Sequence, residues 1–147
     1  MTADAQPIVR VTRRFGASAE RVFDAWLDPK TAGRWLFATP TGQMVRVEID
    51  ARVGGRFIFV DRRNGEDIEH RGEYLEIDRP RRLVFTFAVP KYSRETTRVS
   101  IDIAPRDSGC ELTLTHEGVL PEYADRTKAG WTEILGRLAA SSAQGSA

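Results

Sequence analysis

The sequence predicts a single α+β domain in which a curved antiparallel sheet of about seven strands wraps around a long C-terminal helix. Three observations predict it. Short segments of alternating polarity follow one another at hairpin spacing from Ile8 to His116. The turns between them carry hairpin chemistry, most clearly at Asn64-Gly65, where both residues tolerate positive φ. One long helical period closes the chain from about Glu122 to Ala140, where Tyr123, Thr127, Trp131, Ile134, Leu135 and Leu138 recur at three and four.

The elements follow in order. Residues 1 to about 6 read as loose. From Ile8 to Phe15 polarity alternates, and Gly16 ends that strand. Ser18 is placed to cap a short helix, with Glu20 at its positive end and Val22, Phe23, Trp26 and Leu27 on one face. Asp28-Pro29 stops this helix and starts a second short one that runs into Trp35. Strands then span Met44 to Ile49, Arg56 to Asp61, about Ile68 to Ile77, Leu83 to Ala88, Thr96 to Ile103 and Cys110 to His116. Gly54-Gly55, Asp78-Arg79-Pro80 and Arg106-Asp107-Ser108-Gly109 mark the remaining turns. We expect one domain over 1–147, ordered from about 7 to 140, with 141–147 a small, polar, frayed tail.

Strand parity divides the sheet into a dry and a wet face. Phe57, Phe59, Tyr74, Leu83, Phe85, Phe87, Thr97, Val99, Ile101, Leu112, Leu114 and His116 share one face. Arg56, Glu73, Arg82, Thr86, Arg98, Asp102, Glu111, Thr113 and Thr115 share the other. The dry face needs a cover, and the last helix is the one long amphipathic element left to supply it. A large twisted sheet curls, and one helix does not easily fill its concave side. Two readings follow. The aromatics form a plain core, or they wall a cavity for a small molecule.

Composition narrows the field. With 41% hydrophobic and 29% charged residues the chain is globular rather than disordered. A net charge of +1 argues against nucleic acid as a partner. The pairs Arg13-Arg14, Arg62-Arg63 and Arg81-Arg82 lie near acids and read as solvated faces. Cys110 is the sole cysteine, so no intramolecular disulfide or cysteine metal cluster forms, which fits a reducing, cytoplasmic setting. No signal segment shows in residues 1–15, and no apolar run is long enough to span a membrane.

Several short motifs then line up along nearly the whole chain. They are Ala17-Ser18-Ala19-Glu20-Arg21-Val22-Phe23-Asp24-Ala25-Trp26, Asp28-Pro29, Arg34-Trp35, Arg52-Val53-Gly54-Gly55-Arg56-Phe57, Gly72-Glu73-Tyr74, Pro80-Arg81-Arg82-Leu83-Val84-Phe85-Thr86, Leu112-Thr113-Leu114-Thr115-His116 and Gly130-Trp131. In this series the chain resembles the START-like (SRPBCC) superfamily, and within it the bacterial family related to the activator of the heat-shock-protein-90 ATPase. The resemblance implies the helix-grip fold and a ligand cavity between the sheet and the last helix. It does not choose among carriers, sensors, cyclases, aromatases and hydrolases, since one fold hosts many functions. Many relatives carry a His three residues before the Gly-Trp of the last helix. Here that position is Thr127, so no role of that His transfers. The eukaryotic chaperone activators also carry a second domain, for which this chain has no room.

The expected ligand-binding residues are Trp35, Phe37, Phe57, Phe59, Tyr74, Phe85, Phe87, Val99, Leu112, His116, Trp131 and Leu135. Trp35 and Phe37 close one mouth, while Trp131 and the strand residues form walls. His116 and Tyr74 are weak candidates for an acid–base pair, and such a His is more often a satisfied core or rim residue. His70 falls on the same face with no assigned task. No metal site is expected, because two distant histidines and one cysteine show no ligand spacing. No cofactor is expected either: Gly54-Gly55 opens a strand rather than a phosphate-cradling helix, and no Gly-x-Ser-x-Gly frame holds a serine. The first expectation is therefore binding of a small apolar or aromatic molecule. A cyclase-, aromatase- or hydrolase-like enzyme using the same pocket is the alternative, and a chaperone-associated protein-binding module the second. A homodimer is left open.

Overall fold

The computed structural model describes residues 8–39, 41–92 and 96–144. Seven strands run in chain order: β1 (Val9–Phe15), β2 (Gln43–Ile49), β3 (Arg56–Arg63), β4 (Glu66–Asp78), β5 (Arg82–Phe87), β6 (Thr97–Arg106) and β7 (Gly109–Glu117). Between β1 and β2 lie α1 (Ala19–Ala25) and a 3-10 turn (Ala32–Arg34). After β7 a 3-10 turn (Pro121–Tyr123) leads into α2 (Ala124–Gln144). The loose start lies outside the described residues. The helix continues to Gln144, past the expected boundary near Ala140, and residues 145–147 lie outside the description.

Local chemistry accounts for the joints. Asn64 and Gly65 have φ of 52° and 79°, the pair of positive values that a tight two-residue hairpin needs between β3 and β4. The Ser18 hydroxyl accepts the Arg21 N–H at 3.2 Å and so caps α1. The second short helix is only a 3-10 turn, with its N-cap at Thr31 rather than at the expected Asp28, whose carboxylate instead accepts the Lys30 N–H at 2.9 Å in the turn before it.

The strands form one antiparallel sheet in the order β1-β7-β6-β5-β4-β3-β2. β4 is where it bends. Its first part pairs with β3, from Arg63↔Glu66 to Arg56↔Glu73, and its second with β5, through Tyr74↔Phe85 and Ile77↔Leu83. A register shift falls between Tyr74 and Glu76, and such irregularities increase local twist. Gly72 sits at the corner with the Phe57 ring laid against it; a Cβ there would lie 2.6 Å from that ring.

The concave face holds the core. Phe57, Phe59, Tyr74, Leu83, Phe85, Val99, Ile101, Leu112, Leu114 and His116 are buried, as parity predicts. From α2, Trp131, Leu135 and Leu138 are buried against it, and burial is worth about 1.5–3 kcal/mol for each large apolar side chain. Outside, Arg82 spans to Asp102 at 2.6 Å and Glu76 at 3.3 Å, and Arg62 pairs with Asp67 at 2.7 Å. These ion pairs keep the convex face wet and add little stability.

Candidate ligand-binding cleft

The interior of the grip is filled. Trp26, Leu36, Phe37, Phe57, Phe59, Tyr74, Leu83 and Phe85 close around a void of only about 10 Å³, space for one water at most. Trp26 meets Trp35 edge to face at 4.8 Å and tilts against Phe85 and Trp131 at 6.3 and 6.4 Å. Phe57 meets Phe85 edge to face at 5.3 Å. Val99, Leu112 and Leu135 are core residues behind these rings.

Open space lies at one end, where β5 finishes, β6 begins, β7 turns away and the first half of α2 passes over. A hollow of about 510 Å³ is bordered there by Phe87, Val89, Tyr92, Thr97, His116, Val119, Leu120, Tyr123, Arg63, Arg126 and Thr127. A second hollow of about 360 Å³ adjoins it and adds Phe37, His70, Trp131, Ile134 and Arg137. Seven residues line both (Arg63, Phe87, Val89, Tyr92, His116, Arg126 and Thr127), so the two are one cleft. Its size falls in the range of small-molecule sites. A larger hollow of about 870 Å³ lies at the other end of α2, bordered by Arg21, Asp24, Asp28 and Arg34. It is an open saddle whose rim mixes these four charges with Leu27, Pro29, Trp35 and Leu138.

Of the expected binding residues, Phe37, Phe87, His116 and Trp131 come together in the cleft. Phe57, Phe59, Tyr74 and Phe85 face the closed void, and Trp35, Val99, Leu112 and Leu135 lie in the packed interior. Arg63, Val89, Tyr92, Leu120, Tyr123 and Arg126 also border the cleft, though sequence did not mark them as site residues. For Val89, Tyr92 and Leu120 the one sequence signal is an isolated apolar or aromatic residue in a loop beside a strand end. Tyr92 and Tyr123 remain 63% and 40% exposed although large and aromatic.

His116 is fixed by three hydrogen bonds in series. The Trp131 indole N–H donates to His116 Nδ1 at 3.0 Å, which leaves that nitrogen without a proton. The neutral ring then carries its proton on Nε2 and donates it to Thr97 Oγ1 at 2.7 Å. The Thr97 hydroxyl donates in turn to the Phe87 carbonyl at 3.0 Å. Burial pushes the His116 pKa down to about 4. Both ring nitrogens are committed inside the protein, so His116 serves as a polar strut of the cleft floor. Tyr74 stands elsewhere, between Phe57 and Phe85, and burial raises its hydroxyl pKa. The acid–base pairing of His116 with Tyr74 is not assembled.

The second histidine and a buried ion pair hold the opposite wall. His70 Nδ1 donates to the Phe59 carbonyl, and Nε2 accepts from Arg63 Nη2, both at 3.4 Å. Burial, and next the Arg63 charge, push the His70 pKa down to about 4. Asp61 is 1% exposed and accepts from Arg63 Nε at 2.7 Å and from the Thr39 hydroxyl at 2.9 Å. Arg63 Nη2 also reaches the Phe37 carbonyl at 3.3 Å, and from α2 Arg137 donates to the Ala38 carbonyl at 2.6 Å. The loop is thereby held from sheet and helix at once. It carries Phe37, at φ 61°, into a parallel stack with His70 at 4.9 Å and Phe87 at 5.1 Å. Among the described residues no group of three or more His, Cys, Asp or Glu is placed to hold a metal, and no helix is long and apolar enough to cross a membrane.

Known proteins provide the comparison. A family model described as "Activator of Hsp90 ATPase homolog 1-like protein" matches residues 16–142. No curated protein matches the chain. Among solved structures, a protein of Chromobacterium violaceum is 29% identical, with a TM-score of 0.79 over 90% of this chain and 94% of that one. A protein of Staphylococcus aureus is 16% identical, with a TM-score of 0.85 over 95% of each chain. An AHSA1-like protein of Aeromonas hydrophila is 22% identical, with a TM-score of 0.78 over 90% of this chain and 89% of that one.

Proposed function

The chain belongs to the family of activator of Hsp90 ATPase homolog 1-like proteins, and on that premise we propose that it binds a small, largely apolar molecule as a carrier, sensor or sequestering module. The ligand occupies the end cleft, with Phe87, Val89, Leu120 and Tyr123 as its apolar walls. One observation carries this reading: the open volume is contiguous, aromatic and at the rim, while the interior of the grip is closed to about 10 Å³. Enzyme chemistry through His116 and Tyr74 lacks comparable support, because both nitrogens of His116 are already bonded. The buried, unpaired Cys110 fits a reducing compartment, and we place the protein in the cytoplasm.

The test is a titration with neutral bicyclic aromatics followed by NMR. Saturable shifts at Phe87, Leu120 and the Trp131 indole N–H are expected. In Leu120→Ser they weaken about tenfold, roughly the worth of one buried aliphatic contact. Absence of saturable binding, or shifts confined to the convex face, would refute this assignment.

A further inference from the structure

We propose that the cleft selects an anionic amphiphile: a small aromatic or aliphatic body bearing a carboxylate or an equivalent anion, its charged end between Arg126 and Arg63. This rests on the binding reading given above.

Among the described residues the larger hollow is bordered by Arg63 and Arg126 and by no Asp or Glu. The adjoining hollow adds, among the described residues, Arg137 and one acid, Glu133. The two arginines of the larger hollow differ. Arg63 is compensated by Asp61, which lies 2.7 Å from its Nε. It therefore brings an oriented hydrogen-bond donor more than a net charge. Arg126 is exposed and makes no ion pair or hydrogen bond among the described residues. Arg79 and Arg82, by contrast, are paired with Asp24 and Asp102, and what sets Arg126 apart from the other exposed arginines is its place beside the apolar walls of the cleft. Arg126 also lies in the first turn of α2, where the helix dipole is positive. An arginine there is disfavoured by the helix and adds to a positive potential. Asp125 and Glu122 occupy the same stretch, but neither borders the cleft. An arginine beside apolar walls is the usual recognition element for a carboxylate, because its planar fork matches the two oxygens. A neutral ligand would leave that charge unused.

The experiment uses two probes of nearly the same shape, the anionic 2-naphthoate and the neutral 2-naphthamide. Each is titrated by NMR, on the Trp131 indole N–H, into the full chain and into Arg126→Gln. Glutamine is a good helix former, so the variant keeps α2 intact. The expected result is about tenfold tighter binding of naphthoate, a preference that weakens as salt is raised. In Arg126→Gln that preference falls toward unity while the naphthamide affinity is unchanged. If naphthamide binds as tightly as naphthoate and Arg126→Gln changes neither, the anionic selectivity is overturned and apolar binding stands. If neither probe saturates, both fail together.

Discussion

Phe37 is held at φ 61°, where a side chain other than glycine costs about 1–2 kcal/mol. The ring recovers that cost through its stack on His70 and Phe87 and its edge contact with Phe59 at 5.2 Å. Two substitutions separate the terms. Phe37→Ala removes the ring and keeps the backbone penalty, for a loss of about 3–5 kcal/mol. Phe37→Gly removes the ring and relieves the penalty, so it should be the milder of the two by about 1 kcal/mol. Denaturant unfolding of both variants measures the difference, and a glycine variant less stable than the alanine one would show that the left-handed conformation carries no cost. At this scale the sequence was informative about sides and silent about partners. Parity turned His116 inward, but nothing in the chain's order announced that Trp131, on a distant helix, would take its Nδ1. Arg126 and Tyr92 were invisible as site residues because what makes them so is the space beside them.

At the scale of elements, β4 is where the sheet changes pairing partners and register. Its pairing passes from β3 to β5 at Gly72–Tyr74, and Arg71 and Ala88 exchange backbone hydrogen bonds of 2.9 and 3.0 Å at that corner. The Phe57 ring occupies the place of the missing Gly72 side chain. A methyl group there would also collide with the Thr86 carbonyl, which is backbone and has no rotamer to yield. Gly72→Ala should therefore cost about 3 kcal/mol, at the upper end for overpacking, whereas a strand glycine replaced by alanine ordinarily gains stability. A thermal midpoint equal to or above that of the parent chain would mean that the bend does not depend on this position. The order of elements could be read from turn chemistry and period, because hairpins and amphipathic helices are local. The bend could not, because a glycine in a strand looks the same whether it serves a bulge, a ligand or a close ring. The same limit displaced the expected pocket. Alternation identifies an aromatic inner face, yet how far those rings interdigitate depends on curvature, and here they close the interior and leave the cleft at its rim.

At the scale of the whole molecule, the two histidines give the fold a dependence on pH. His70 and His116 are both held neutral, with pKa values pushed down to about 4 by burial, and His70 is further disfavoured from charging by Arg63. In the unfolded chain each returns to about 6.5. Above that value both states carry neutral rings, and the full stability is present. As pH falls from about 6.5 toward 4 the unfolded chain takes up protons that the folded one refuses, so stability is lost across this window and levels off below it. Each histidine contributes on the order of 3 kcal/mol to that loss at its limit. Urea unfolding at pH 7.5 and pH 5 should therefore give a lower midpoint at pH 5 with an unchanged slope. The variant His70→Phe keeps an aromatic ring against Phe37 and Phe87 and removes one of the two groups, so its midpoint should fall about half as far between the same pH values. A parent chain equally stable at pH 7.5 and 5 would mean that the rings can charge in place, and the Trp131–His116–Thr97 series would then not hold in solution. If instead the parent loses stability and His70→Phe loses just as much, the dependence belongs to His116 alone, and the Arg63 side of the cleft accommodates a charged ring.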